Sequence, residues 1–241
     1  MDRKIILAKT GNAFENIIER YQNFQEWISR GLEVAPERIR VVDVCKEERL
    51  PKAEECLGAV ISGSHAMVTE NLPWSLRLEA WLRDMIKAGI PVLGICYGHQ
   101  VLAKALGGQV DFHPRGIEIG CVDVRLTARL EEDPIFRGLP VTFKAHACHS
   151  QTVVRLPEQA VKLAENDFES HHAFRIGDTA WGVQFHPEYD PAIMKAYVEN
   201  MSDAVRASGQ DIQTILQGVE DTPDALKIIK RFGRFCLSRP D

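Results

Sequence analysis

A cysteine held between two glycines, where an apolar strand gives way to a helix, constrains this chain more than any other feature. Residues 91–95 (PVLGI) read as a buried strand, and residues 98–106 read as a helix. Gly94-Ile95-Cys96-Tyr97-Gly98 joins them with no room for a loop. So sharp a turn needs small neighbours on either side of the residue at its apex, which the two glycines provide. The apex side chain then projects beyond the strand end. The N-terminus of the following helix carries partial positive charge, which favours a thiolate there, and the Tyr97 backbone N–H is placed to donate to an oxyanion. A free cysteine is ordinarily a small buried hydrophobe. The strand–GxCxG–helix setting overrides that reading for Cys96, whereas Cys45, Cys56, Cys121 and Cys236 lack such a setting.

The flanking sequence fits a sheet that could carry this turn. Lys4 to Ala8 (KIILA), Arg38 to Val44 and Leu57 to Ser62 read as three more strands. Phe14, Ile17, Ile18, Tyr21, Phe24, Trp27 and Ile28 recur at spacings of three and four, which predicts one helix with an apolar face. Pro73 suits a helix first turn. Leu78, Trp81, Leu82, Met85 and Ile86 give that helix its inward face, and Gly89 ends it. This alternation predicts an α/β fold: a Rossmann-like, mixed but mainly parallel sheet with helices on both faces. From 117 to 185 the segments EIGCVDVRL, VTFKAH, AVKLAE, SHHAFRI and TAWGVQF read as further strands, some antiparallel. Beyond Pro191 the pattern is helical. With no linker, repeat or low-complexity tract, residues 1–241 read as a single domain, with a motif-bearing core over about 40–190 and a helical tail over about 191–241.

Composition narrows the function classes. The net charge is −5 and no long basic run occurs, which argues against a nucleic-acid partner. No segment approaches the roughly 20 apolar residues of a membrane helix. The N-terminal MDRKIILAKT runs straight into a strand, so no signal peptide is expected. Six cysteines without a CxxC pair suit a reduced, cytoplasmic protein.

A thiolate nucleophile needs a base, and the base needs an orienting group. WGVQF (181–185) reads as a strand, and His186, Pro187 and Glu188 follow its end. If that end lies beside Cys96, His186 can take the thiol proton and Glu188 can hold the ring. Alone, a His-Pro-Glu run is an ordinary surface loop.

Taken together, GICYGHQ (94–100) and GVQFHPE (182–188), 90 residues apart from Cys96 to His186, resemble the signature blocks of class I glutamine amidotransferases, and are similar to those in the glutaminase domain of GMP synthase. The resemblance covers roughly residues 40 to 190. It implies a flavodoxin-like glutaminase architecture in which Cys96 is the nucleophile, His186 the acid and base, and Glu188 the third triad member. Gly63 and Tyr97 would form the oxyanion hole. Gln100, His149, Ser150 and Gln151 would hold the backbone end of glutamine, the last three as a loop. The implied reaction releases ammonia and then glutamate through a γ-glutamyl thioester, without metal or organic cofactor, and a separate synthase subunit would take the ammonia.

One block departs from the pattern. Ser62-Gly63-Ser64-His65 stands where many members carry a second glycine and a proline. With Trp74 ten residues beyond Ser64, the turn also resembles γ-glutamyl peptidases of the same superfamily, which cut a γ-glutamyl bond in a peptide with the same triad. Further readings are an oxidation sensor built on Cys96 or a non-catalytic scaffold, although no resolving cysteine lies near in sequence and all three triad positions are filled. A metal site at His146, Cys148 and His149, or at His171 and His172, lacks the paired ligand spacing of structural zinc. The stripe Ile228, Ile229, Phe232, Phe235 and Cys236 packs a tail helix on the domain or faces a partner.

Overall fold

A computed structural model describes residues 3–127 and 130–239. Its frame is a nine-stranded sheet in the order β2-β1-β3-β4-β11-β10-β9-β6-β7. The first five in that order are parallel: β2 (Ile39–Asp43), β1 (Lys4–Lys9), β3 (Cys56–Ile61), β4 (Val92–Ile95) and β11 (Ala180–Val183). The rest run antiparallel to their neighbours: β10 (Ala173–Ile176), β9 (Ala160–Glu165), β6 (Glu118–Leu126) and β7 (Thr142–His149). A separate antiparallel pair joins β5 (Gln109–Phe112) to β8 (Gln151–Arg155). The mixed, mainly parallel fold expected from the sequence is therefore the one formed.

Alternate residues of the parallel strands face opposite helical layers, as a strand's period of two requires. Ile5, Leu7, Val60, Leu93, Ile95 and Trp181 enter one core. That core is covered by α1 (Glu15–Tyr21), α2 (Phe24–Leu32), α5 (Pro191–Asn200), α6 (Ser202–Ala207), α7 (Ile212–Gln217) and α8 (Pro223–Ser238). Ile6, Ala8, Ile61, Val92 and Phe174 enter the other, beneath α3 (Pro73–Lys87) and α4 (Tyr97–Ala105).

Three expectations are corrected. The apolar run 14–28 forms two helices, not one. Gln22 takes φ +73°, and Asn23 caps α2, its side chain accepting from Phe24 N while Glu26 closes a capping box. A capping asparagine wins over continued apolar periodicity because it satisfies the free N–H groups of a new helix start. Second, β7 continues to His149 and β8 starts at Gln151, so only Ser150 lies between them where a longer loop was expected. Third, β10 starts at Ala173, which leaves His171 and His172 ahead of the strand. The apolar stripe of α8 is spent on the chain's own core: Ile228, Ile229, Phe232 and Cys236 are fully buried.

Candidate active site

Val183 of β11 pairs with Ile95 of β4, and the Val183 carbonyl accepts from Cys96 N at 2.8 Å. The chain leaves both strands at the same end of the sheet, so residues 96 and 186 emerge side by side. Cys96 sits at φ +51°, ψ −101°, a strained conformation for a residue with a Cβ, and α4 starts at the next residue. Both glycines of the turn are forced by contact. A Cβ on Gly94 would strike the Gly98 carbonyl, and one on Gly98 would strike the Ile61 carbonyl of β3.

His186 is anchored by its backbone, whose N–H donates to His146 O at 2.7 Å. Its ring stacks on Tyr189 at 4.0 Å between centroids and lies parallel to Phe24 at 6.4 Å. Nδ1 meets Glu188 Oε1 at 2.8 Å, both groups being buried, which leaves the ring's other nitrogen free of Glu188. Burial by itself would push the His186 imidazole down. The Glu188 carboxylate and the Cys96 sulfur outweigh that and raise it to about 10. The Cys96 thiol also lies 3.6 Å from the carbonyl oxygen of Cys148.

Cys96 opens on a cavity of about 270 Å³, at the small end for ligand pockets. Tyr97, Gln100, His149, Ser150 and Gln151 all line it. Gly63 lies behind the wall, where an added Cβ would come within 3.0 Å of His186 Cε1, and its neighbour Ser64 faces the cavity. The Gly63 carbonyl is held by Thr10 Oγ1 at 3.0 Å. The helical start at Tyr97 supplies N–H groups that lack intrahelical partners, while the Tyr97 hydroxyl turns away to Ser75 at 2.6 Å.

The side chains expected to hold substrate are largely committed elsewhere. Gln100 Nε2 donates to Gln151 O at 2.8 Å and to Gln184 Oε1 at 3.0 Å. The Gln151 amide spans Val68 N and Thr69 Oγ1. His149 is tied to Glu118 and to Gln151 O.

Sequence reading placed Ser64 and His65 in the wall but missed Cys148, Phe14 and Tyr197. Cys148 shares the cavity with Cys96, which only the sheet order reveals, and burial pushes its thiol well up. His65, Phe14 and Tyr197 form an aromatic corner in which Tyr197 Oη lies 3.4 Å from His65 Nε2. Burial, then His186, lowers the His65 imidazole. His146 places its ring nitrogens on the carbonyls of Tyr189 and Glu220, and His171 places Nδ1 on Val153 O, so these imidazoles are used in backbone packing.

Fold and cavity together define the class: an α/β protein with a cysteine elbow facing an imidazole–carboxylate pair on the adjoining strand. Residues 16–203 match the family described as "Glutamine amidotransferase class-I", and the chain belongs to that family. It is 38% identical over 141 residues to a GMP synthase of Aeropyrum pernix, a match covering 58% of this chain and 25% of that protein. Against γ-glutamyl peptidase 4 of Arabidopsis thaliana it is 30% identical over 197 residues, covering 80% of this chain and 76% of the other. A crystal structure of a glutamine amidotransferase from Thermotoga maritima superposes with a TM-score of 0.73 at 25% identity, covering 98% of this chain and 99% of that one. The chain thus spans about a quarter of one relative and three-quarters of the other.

Proposed function

We propose that the chain hydrolyses a γ-glutamyl amide through a thioester on Cys96, acting as a single domain over residues 1–241, with free glutamine as substrate. The observation that carries this reading is the buried chain Glu188–His186–Cys96, assembled across the ends of two adjacent parallel strands. The raised imidazole favours an imidazolium, the form that can give a proton to the leaving group of an attack by Cys96.

Cys96 Sγ attacks the γ-carbonyl carbon, and the Tyr97 N–H and the Gly63 turn receive the oxyanion. His186 gives its proton to the leaving amine, and the γ-glutamyl thioester remains. His186 then takes a proton from water, which adds to the acyl carbon and releases glutamate with return of the thiolate. Glu188 holds the ring in the orientation that serves both transfers. Gln100, His149, Ser150 and Gln151 form the wall that receives the substrate's backbone end. No step needs a metal or organic cofactor, nucleic acid or a membrane. Among the described residues no helix is long and apolar enough to cross one. The ammonia would pass to a separate synthase subunit in the cytoplasm. Similarity to a glutamine-hydrolysing GMP synthase of Methanopyrus kandleri that is itself one subunit, 36% identical over 116 residues, is consistent with such a partner.

A second reading, cleavage of γ-glutamyl peptides, is favoured by the Arabidopsis peptidase, which matches this chain over most of both lengths. Glutamate release from glutamine and from γ-glutamyl dipeptides, by the protein and by Cys96→Ala, separates the two. Turnover of glutamine that is lost in Cys96→Ala supports the glutaminase, and turnover of peptides alone moves the assignment to a peptidase. If neither is cut while an electrophilic glutamine analogue still labels Cys96, an activating partner is missing. The absence of both turnover and labelling would sink the catalytic reading.

A further inference from the structure

Behind the cavity wall, His149 joins a buried charge cluster whose other members the proposed chemistry does not use. Glu118 of β6 is the cross-strand partner of His149 of β7, so their side chains share one face of the sheet. Glu118 Oε2 lies 2.8 Å from His149 Nε2 and 3.1 Å from His172 Nε2. Glu118 Oε1 lies 2.7 Å from Asn166 Nδ2. The orientation of that amide is fixed, because Asn166 Oδ1 accepts the backbone N–H groups of Phe168 and Glu169. Asn166 can therefore only donate to Glu118.

His149 Nδ1 lies 3.0 Å from the Gln151 carbonyl oxygen. A carbonyl can only accept, so Nδ1 carries a proton. Nε2 faces a carboxylate whose other oxygen already receives Asn166. Burial would push the His149 imidazole down, but Glu118 raises it. Burial likewise pushes the Glu118 carboxyl up, and the hydrogen bond from His149 together with the His172 imidazole 3.1 Å away reverse that and hold it below the ordinary carboxylate range.

We propose that Glu118 is a positioning residue: it holds His149 as a buried imidazolium and, through the His149–Gln151 contact, fixes the β7–β8 turn that walls the cavity before Cys96. With His149 tied at both nitrogens and Gln100 donating to the same Gln151 oxygen, the turn is pinned from two sides. Its backbone and Ser150 are thereby presented to whatever occupies the cavity. Glu118 touches neither the cavity nor the reacting atoms, so it acts on substrate binding and not on the chemical step.

The kinetic part of this inference rests on the proposed γ-glutamyl hydrolysis; the charge and the geometry do not. The first test is the ring ¹⁵N spectrum of His149 in the native protein at pH 8. An imidazolium is expected; a neutral His149 there overturns the proposal, whichever way any variant folds. In Glu118→Gln the His149 ring should become neutral at that pH, and a crystal structure should show the 149–151 turn displaced. KM for glutamine, or for a γ-glutamyl dipeptide, should rise roughly tenfold or more, the scale of a lost charge-assisted hydrogen bond, while kcat changes far less. Glu118→Asp should recover part of the loss. An unmoved turn, or a fall in kcat at constant KM, overturns the positioning role. Absence of any turnover in the native protein would instead contradict the hydrolase reading alone, with ring charge and turn position still deciding this one.

Discussion

Cys96 is held at φ +51° by hydrogen bonds on both sides: its N–H on Val183 O and its carbonyl on Gln100 N. A residue with a Cβ keeps such a conformation only when its surroundings over-determine it. The pair it faces sets the pH behaviour. His186, ordinarily near 6.5, is raised to about 10 against the pull of burial by Glu188 and the Cys96 sulfur. A raised folded-state value means stability from this group that is complete below about 6.5 and is lost as pH rises through about 10. The activity should follow the same proton, so kcat/KM should fall on an alkaline limb near pH 10. Glu188→Gln removes the largest upward influence. Its limb should shift to lower pH and its rate should drop about 10²-fold or more, both read from a pH–rate profile. An unshifted limb would mean that Glu188 does not set the imidazole. Cys96 was visible in the sequence because its constraint is local, two glycines and a strand-to-helix switch. Glu118 was not, because its significance depends on a cross-strand pairing with His149 that no spacing along the chain encodes.

At the scale of elements, the site is made by strand order. β4 and β11 are 85 residues apart in sequence and adjacent in the sheet, which is why the two motif blocks meet. The strands and long helices were legible because their apolar periods are clear. The boundary between α1 and α2 was hidden by apolar spacing that runs unbroken through a cap. Asn23 Oδ1 accepts from both Phe24 N and Ala13 N, so Asn23→Ala should cost about 1–2 kcal/mol in chemical denaturation. The pair β5 and β8 was missed altogether, being short and carrying exposed residues such as Phe112 and Val154. The elbow permits a sharper test. Gly98 packs against the backbone of β3, so Gly98→Ala should destabilise the fold by about 1–3 kcal/mol and displace Cys96, with activity lost in protein that still melts cooperatively. Full activity in that variant would show that the close approach of α4 to β3 is not needed.

For the whole molecule, the helical tail belongs to the core and not to a free surface. Phe232 of α8 is fully buried near Trp181 of β11, at 6.3 Å between ring centroids. Phe232→Ala should therefore cost about 3–5 kcal/mol, measured by thermal or denaturant unfolding. β11 leads directly to His186, so the tail braces the strand that carries the imidazole. Family membership follows from two short blocks and the chain that spaces them, whereas the choice between glutamine and a γ-glutamyl peptide depends on the cavity wall. There Ser64 and His65 replace the family's commoner residues, and no periodic signal marks what the wall will bind. Both substrates would leave the same acyl group on the same sulfur, so one measurement bears on the account whichever is used: the intact mass of protein quenched in acid during turnover, followed by peptide mapping. The account predicts one added γ-glutamyl group, located on Cys96 and absent from Cys96→Ala. Turnover by the native protein with no acyl group on Cys96, or turnover that persists in Cys96→Ala, would contradict it.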